Sequence, residues 1–181
     1  MGLFDKLFSK KGKVSEEKKE QERISIDSPY GKFYYFANPA ANEYGYEGYV
    51  EWYPNGIEEE STEAYIETDT SETTESGICF SRFEKLFSDK ERIDYEMKKS
   101  AADYFLFKPD LLIGETSEEE LIGDMEIIWI GVYRSGDTKF SIDASGLEAD
   151  EISVALKADG SKEISYIAGC FNEYKEYCDK L

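Results

Sequence analysis

One aromatic stretch constrains the fold of this chain more than any other. Residues 30–53 read YGKFYYFANPAANEYGYEGYVEWY, and ten of these 24 side chains are aromatic. Aromatic residues favour pleated, half-buried strands, and the Pro-, Asn- and Gly-containing part favours a bend between two strands. In the second strand, alternation predicts a buried face formed by Tyr44, Tyr46, Gly48, Val50 and Trp52. The opposite face is expected to meet water and carries Glu47, Tyr49, Glu51 and Tyr53.

The chain is strongly acidic, and the acidity is unevenly distributed. Its 181 residues include 40 acidic and 21 basic side chains, for a formal net charge of −19. Residues 1–23 hold seven bases and five acids, so residues 24–181 hold 14 bases and 35 acids, and no base lies between Lys32 and Arg82. Such a body is repelled by phosphate backbones, which disfavours nucleic-acid binding, and it suits a basic protein partner.

Cysteine usage and hydropathy indicate a cytoplasmic protein. The three cysteines, Cys79, Cys170 and Cys178, form neither a CxxC motif nor an even-numbered disulfide framework, which favours a reducing compartment. No apolar run approaches the roughly 20 residues that a membrane-spanning helix needs, and the N-terminus lacks the apolar core of a signal peptide.

The first 23 residues are predicted to form an appendage to a single domain at 24–181. A short amphipathic helix is expected at the start, with one apolar stripe formed by Leu3, Phe4, Leu7 and Phe8. Three lysines follow within residues 10–13, so residues 1–13 fit weak contact with an anionic membrane surface or docking on a partner. The alternative is a loose leader helix that packs on its own body or on nothing. Residues 14–23 continue a charged tether.

Beyond the hairpin, the pattern predicts one main helix and a strand meander. The helix runs from a capping box at Ser88 and Glu91 to about Phe105, and a second capping box fits Ser81 and Glu84. A Ser/Thr/Glu loop is expected at 71–77, a short helical turn at 117–121 and a closing helix at 170–181. Strands are expected at 24–26, 64–70, 125–133, 138–142, 151–157 and 163–168. The predicted fold class is α+β: a mostly antiparallel twisted sheet of six to eight strands with one main helix packed on it, plus the short N-terminal amphipathic helix.

Two segments resemble a bacterial family of unknown function. Members carry an early strand like EG-x-V-x-W and a C-terminal hairpin like I-x-V-x-x-x-x-DG…IAG. The matching positions here are Glu47, Gly48, Val50 and Trp52, then Ile152, Val154, Asp159, Gly160 and Ile167-Ala168-Gly169. The resemblance covers residues 24–169 and implies an uncharacterised domain of the interaction or immunity type, without catalytic residues. Members often carry a histidine before the penultimate strand, and this chain has none.

The sequence offers little for catalysis. The absence of histidine excludes Ser-His-Asp and Cys-His arrangements and His-based metal sites. No P-loop or GxGxxG motif occurs, and the oxygen-rich residues 69–77 lack the spacing of a calcium loop. We therefore predict no catalytic residue, no metal and no cofactor.

One carboxylate pair supports an alternative, carbohydrate-binding or carbohydrate-active function. At 3.3 Å per residue, Glu67 and Asp69 would lie about 6.6 Å apart, within the roughly 5–9.5 Å of glycosidase pairs, whereas Glu47 and Glu51 would lie about 13 Å apart. Tyrosines beside such a pair would suit a sugar ring. The opposing interpretation is an exposed acidic strand with no ligand.

The leading hypothesis is a non-enzymatic module that binds a basic protein. Its acidic, tyrosine-rich surface would comprise Glu47, Tyr49, Glu51, Tyr53, Glu67 and Asp69. An immunity-like role against a basic toxin is one version of this hypothesis. The opposing interpretation is that the helix or the N-terminal leader covers the tyrosines. The sequence predicts no oligomeric state.

Overall fold

Short strands with alternating burial build one sheet. The computed structural model describes residues 24–53, 62–69, 73–114, 116–144, 147 and 149–168. Across these residues, eight strands lie side by side in chain order: β1 Ser25–Ser28, β2 Gly31–Asn38, β3 Glu43–Val50, β4 Thr62–Glu67, β5 Met125–Val132, β6 Thr138–Ala144, β7 Ala149–Leu156 and β8 Lys162–Ala168. Neighbouring strands are antiparallel except β4 and β5, which are parallel.

A helical crossover joins the two parallel strands, because parallel neighbours cannot be connected by a tight turn. It contains α1 Thr73–Ser88, α2 Lys90–Leu106, a 3₁₀ turn Pro109–Leu111 and α3 Glu118–Asp124. Ser117 and Glu120 form a capping box at the start of α3: the Glu120 N–H donates to Ser117 Oγ and the Ser117 N–H donates to Glu120 Oε2.

The helices cover one face of the sheet and bury its apolar side chains. Residues paired across neighbouring strands form a continuous buried row beneath the helices: Phe33, Gly48, Ala64, Ile130, Phe140 and Val154. Phe83 of α1 packs over the β2–β4 side of this row, and Met97 and Phe105 of α2 pack over the β5–β7 side. The opposite face of the sheet is not covered by these helices.

The structure confirms the predicted α+β class, the mostly antiparallel sheet and its upper strand count. The aromatic hairpin forms as β2 and β3, and the C-terminal meander forms as β5 to β8. The short helical turn predicted at 117–121 is confirmed as α3. The long helix that ends before Pro109 is confirmed as α2.

The prediction of a single main helix is wrong, because two long helices lie in the crossover. The loop predicted at 71–77 overlaps α1, which begins at Thr73. Both predicted capping boxes are also wrong: Ser81 lies inside α1, and Ser88 ends it by donating to the Lys85 carbonyl. The physical reason is tertiary packing. Cys79 and Phe83 lie one turn apart and are both buried against the sheet, so the helix continues through Ser81.

Two predicted helices fall outside the described residues, namely the N-terminal amphipathic helix and the closing helix at 170–181. In the part of the chain that the structure describes, no helix is both long enough and apolar enough to cross a membrane.

Candidate functional site

The open face, defined here as the sheet face opposite the helices, alternates aromatic and acidic side chains. Tyr34 of β2 pairs with Glu47 of β3, which pairs with Tyr65 of β4. Two residues further along β3, Tyr49 pairs with Glu63, which pairs with Trp129 of β5. Tyr34 is 41 % exposed and Tyr49 is 65 % exposed. The surface from β2 to β5 is therefore mainly a chequerboard of rings and carboxylates. Lys32 of β2 also lies on it, with Nζ 5.7 Å from the centre of the Tyr34 ring.

Three rings form a continuous layer on the β4–β5 part of the open face. Tyr65 stacks on Trp129 with centroids 6.3 Å apart and an interplanar angle of 15°. Tyr65 also contacts Tyr133 at 6.1 Å, and its hydroxyl donates to the Tyr44 carbonyl over 2.9 Å. Burial raises the pKa of Tyr65, with nearby Glu67 as the next cause, so this phenol keeps its proton. The layer is fixed by stacking and by a backbone hydrogen bond.

Two glycines allow these rings to lie flat against the sheet. A Cβ at Gly45 would lie 2.3 Å from the ring of Tyr65, and one at Gly131 would lie 2.1 Å from the ring of Trp129. Real Cβ atoms do not approach other heavy atoms so closely. Both positions therefore exclude a side chain while the rings keep this arrangement.

The carboxylates of this surface repel one another. Burial raises the pKa of Glu47, and the neighbouring carboxylates Glu63 and Glu43 raise it further. Among the described residues, no lysine or arginine forms an ion pair with Glu47, Glu63 or Glu43. A cation placed between these groups would remove part of that repulsion.

The structure places some predicted site residues on the open face. Glu47 and Tyr49 lie on it within β3, as the alternation predicts, and Glu51 is exposed just beyond the strand. Glu63, Tyr65 and Trp129 complete the surface, and sequence analysis did not select them. The alternation of residues 62–67 was the available signal for Glu63 and Tyr65.

Tyr53 lies on the other side of the sheet, so its predicted position beside Tyr49 is wrong. Its hydroxyl donates to Asp94 Oδ1 of α2 over 2.8 Å and accepts from the Ile127 N–H over 2.7 Å. Lys98 Nζ lies 4.8 Å from the centre of its ring. β3 ends at Val50, so the strand alternation no longer applies at position 53.

Glu67 and Asp69 do not form a free carboxylate pair beside Tyr49. The Arg134 N–H donates to Glu67 Oε2 over 2.7 Å, and the Arg134 guanidinium pairs with Asp69 Oδ2 over 2.8 Å. The register also separates them from Tyr49, because Glu67 pairs with Gly45, four residues along β3 and about 13 Å away. One arginine thus satisfies both groups at the end of β4.

Two further predictions concern the N-terminal apolar stripe and metal binding. The apolar stripe Leu3, Phe4, Leu7 and Phe8 lies outside the described residues. Within the described ranges, no group of three or more acidic or cysteine side chains is arranged to hold a metal ion.

Comparison with known proteins identifies no family for this chain. No protein-family model matches the chain, and neither the curated proteins nor the solved structures give a significant match. The resemblance noted above therefore rests on its short motifs alone.

Proposed function

We propose that this protein is a non-enzymatic cytoplasmic interaction module whose open face binds a basic segment of a partner protein. The observation that carries the proposal is the chequerboard of β2 to β5, where Glu47 and Glu63 lie between exposed or half-exposed rings without a basic partner among the described residues. An immunity-like role is the version in which the partner is a basic toxin.

The spacing of the surface suits arginine in particular. Glu47 and Glu63 are diagonal neighbours on adjacent strands, and such positions lie about 7–8 Å apart. A single guanidinium can reach both carboxylates and also stack on a neighbouring ring. An exposed cation–π contact stabilises by about 0.5–1 kcal/mol, so several arginines are needed for tight binding.

A capture experiment tests this function. The tagged full chain serves as bait in native-host lysate at about 50 mM and about 500 mM salt, with bound proteins identified by mass spectrometry. Because association through exposed charges is screened by salt, we expect a basic protein to be enriched at low salt and lost at high salt.

Matched baits show whether the open face is responsible. The double variant Glu47→Gln/Glu63→Gln is expected to lose the partner. Glu84→Gln/Glu91→Gln removes the same charge from exposed helix positions and is expected to retain it. Equal loss from both double variants would show that net charge, and not this surface, holds the partner. Salt-independent capture would also contradict the proposal.

Carbohydrate binding is the second candidate, and the stacked pair Tyr65 and Trp129 is the feature that favours it. The carboxylate pair no longer supports it, because Arg134 holds both Glu67 and Asp69. A glycan array separates the two functions: sugar binding that persists in the Glu67→Ala/Asp69→Ala variant and at high salt would assign the rings to a carbohydrate.

A further inference from the structure

A cavity on the helix side of the molecule has the opposite character to the open face. Its volume is about 320 Å³, and it opens where the α1–α2 corner meets the turns that follow β5 and β7. Leu86, Ile93 and Leu156 give it an apolar floor, and the turn residues Gly136 and Gly160 form part of its rim. Small-molecule pockets have volumes of roughly 300–1,000 Å³ and similar apolar linings.

The rim of this cavity concentrates positive charge in a chain where acids outnumber bases almost two to one. Among its described lining residues, one is acidic, Asp89, and four are basic, namely Arg82, Lys85, Arg92 and Lys157. The cavity is therefore a local exception to the charge of the molecule.

Among the described residues, two of the four cations have carboxylate partners and two do not. Arg92 pairs with Asp89 over 2.7 Å, and Lys157 pairs with Glu163 over 2.9 Å. Arg82 donates through Nη1 to the Tyr133 carbonyl over 2.7 Å, which anchors the guanidinium without neutralising it. Among the described residues, no carboxylate forms an ion pair with Arg82 or Lys85.

The unneutralised cations lie on the same side of one helix. Arg82 and Lys85 are three residues apart on α1, and side chains at this spacing are neighbours on a helix surface. Leu86 follows directly and contributes to the apolar floor. A ligand that fits both parts must combine a negative group with a compact apolar body.

We propose that this cavity binds a small organic anion. Arg82 and Lys85 hold its carboxylate or phosphate group, and Leu86, Ile93 and Leu156 contact its apolar part. A guanidinium suits either oxyanion because it donates two parallel hydrogen bonds. This site is independent of the open face and of the function proposed for it.

Phenyl phosphate is a suitable probe because it joins both halves of the proposed ligand. The full chain, labelled with ¹⁵N, is titrated with phenyl phosphate, inorganic phosphate and phenol at about 150 mM salt, where long-range repulsion by the acidic body is screened beyond about 8 Å. We expect saturable shifts of the Gly136, Ala158 and Gly160 amides. Phenyl phosphate should bind at least about tenfold more tightly than either half, because only it uses both parts of the cavity.

Charge variants decide whether the named residues are responsible. Arg82→Gln/Lys85→Gln should weaken phenyl phosphate binding at least about tenfold, since a charge-assisted hydrogen bond contributes more than that factor. Lys32→Gln/Lys139→Gln removes the same charge from the open face and should leave binding unchanged. Lys85→Gln alone, at an exposed position, should still weaken binding about threefold or more if the double variant does not fold.

Three results would overturn the proposal. The first is the absence of saturable binding. The second is equal affinity for inorganic phosphate and phenyl phosphate, which would show adventitious anion binding only. The third is unchanged affinity in the folded Arg82 and Lys85 variants.

Discussion

At the scale of single residues, Asp94 connects three parts of the chain that are distant in sequence. Its Oδ1 accepts from Trp52 Nε1 over 3.1 Å and from the Tyr53 hydroxyl over 2.8 Å, and its Oδ2 pairs with Lys98 over 3.0 Å. Tyr53 in turn accepts from the Ile127 N–H. Burial raises the pKa of Tyr53, so its hydroxyl keeps the proton that it donates to Asp94. The segment that follows β3, the first half of α2 and the start of β5 thus share one polar network.

We expect Asp94→Asn to destabilise the fold clearly. The side chain of Lys98 is 10 % exposed and would lose its charge partner, whereas one amide oxygen would remain for Trp52 and Tyr53. Removing one member of a buried pair costs about 3–5 kcal/mol, and because Asp94 is itself 20 % exposed we expect about 2–3 kcal/mol in urea unfolding.

Two further variants isolate the network. Asp103→Asn breaks the exposed pair with Lys99 on the same helix and should cost less than about 1 kcal/mol. Asp94→Asn/Lys98→Met removes both charges and should regain most of the loss. Equal costs for Asp94→Asn and Asp103→Asn would contradict the buried network.

Glu47 is expected to make the free energy of unfolding depend measurably on pH. Its pKa is raised above 4.5 in the folded chain, so the folded state holds this proton more strongly than the unfolded state does. Folding is therefore favoured while Glu47 is protonated, and this contribution is lost as pH rises through the raised pKa.

The variant Glu47→Gln tests whether ionisation of Glu47 lowers the free energy of unfolding. At pH 7 and low salt it should raise the free energy of unfolding by less than about 1 kcal/mol, the usual size of like-charge repulsion between strands. At pH 4 it should have little effect, because the wild-type side chain is then largely protonated. A loss of stability at pH 7 would show that ionised Glu47 is favourably paired.

At the scale of elements, the neighbouring strands β2 to β5 form the ring-and-carboxylate surface, and one glycine each in β3 and β5 gives it its shape. Gly45 and Gly131 lie under the rings of Tyr65 and Trp129, so these rings cover backbone instead of projecting into water. Stacking at the β4–β5 pair also covers the parallel junction of the sheet, the one non-antiparallel pair in the described strands. The ring layer therefore contributes to the packing of the sheet, and in the proposed function it also contacts the partner.

Gly131→Ala should disturb this layer. The new methyl would lie 2.1 Å from the Trp129 ring, so the ring must move, and overpacking of this kind typically costs about 1–3 kcal/mol. Tryptophan fluorescence measures the movement of the ring, and urea unfolding measures the loss of stability.

Gly77→Ala is the matched control, because a Cβ there meets nothing within 4 Å and the position lies inside α1. It should stabilise by about 0.4–1 kcal/mol. Wild-type stability and fluorescence in Gly131→Ala would contradict the proposed role of the glycine.

Local patterns predicted most elements, because strand alternation and helical periodicity act over a few residues. The short helical turn at 117–121 and the strands of the C-terminal meander are examples. The first turns of α1 could not be predicted in this way. That segment is rich in Ser, Thr and Glu, and it is Cys79 and Phe83, packed on the sheet, that hold the helix in place.

At the scale of the whole molecule, the two faces of the sheet have separate roles. Helices cover one face and build the core, while the other face presents rings and carboxylates. For the proposed basic partner, a net charge of −19 would extend electrostatic attraction beyond the contact surface. Such long-range attraction raises association rates more than it lowers dissociation rates.

Only part of the candidate site could be predicted from sequence. Glu47 and Tyr49 follow from the alternation of one strand. Trp129 joins them only because β5 pairs in parallel with β4 across the crossover of residues 73–124, a non-local pairing that no local pattern specifies. The prediction for Tyr53 is wrong for a related reason: a hydrogen bond to Asp94, which is distant in sequence, determines the direction of its side chain.

The most direct test of the open face is an NMR titration of the labelled full chain with the captured basic protein. The two tryptophan indoles report on opposite sides of the sheet, because Trp129 lies on the open face and Trp52 bonds Asp94 beneath the helices. We predict that the Trp129 indole and the amides of Tyr49 and Glu63 shift at low salt while the Trp52 indole does not. Shifts confined to α1–α3 with an unmoved Trp129 indole would contradict binding by the open face.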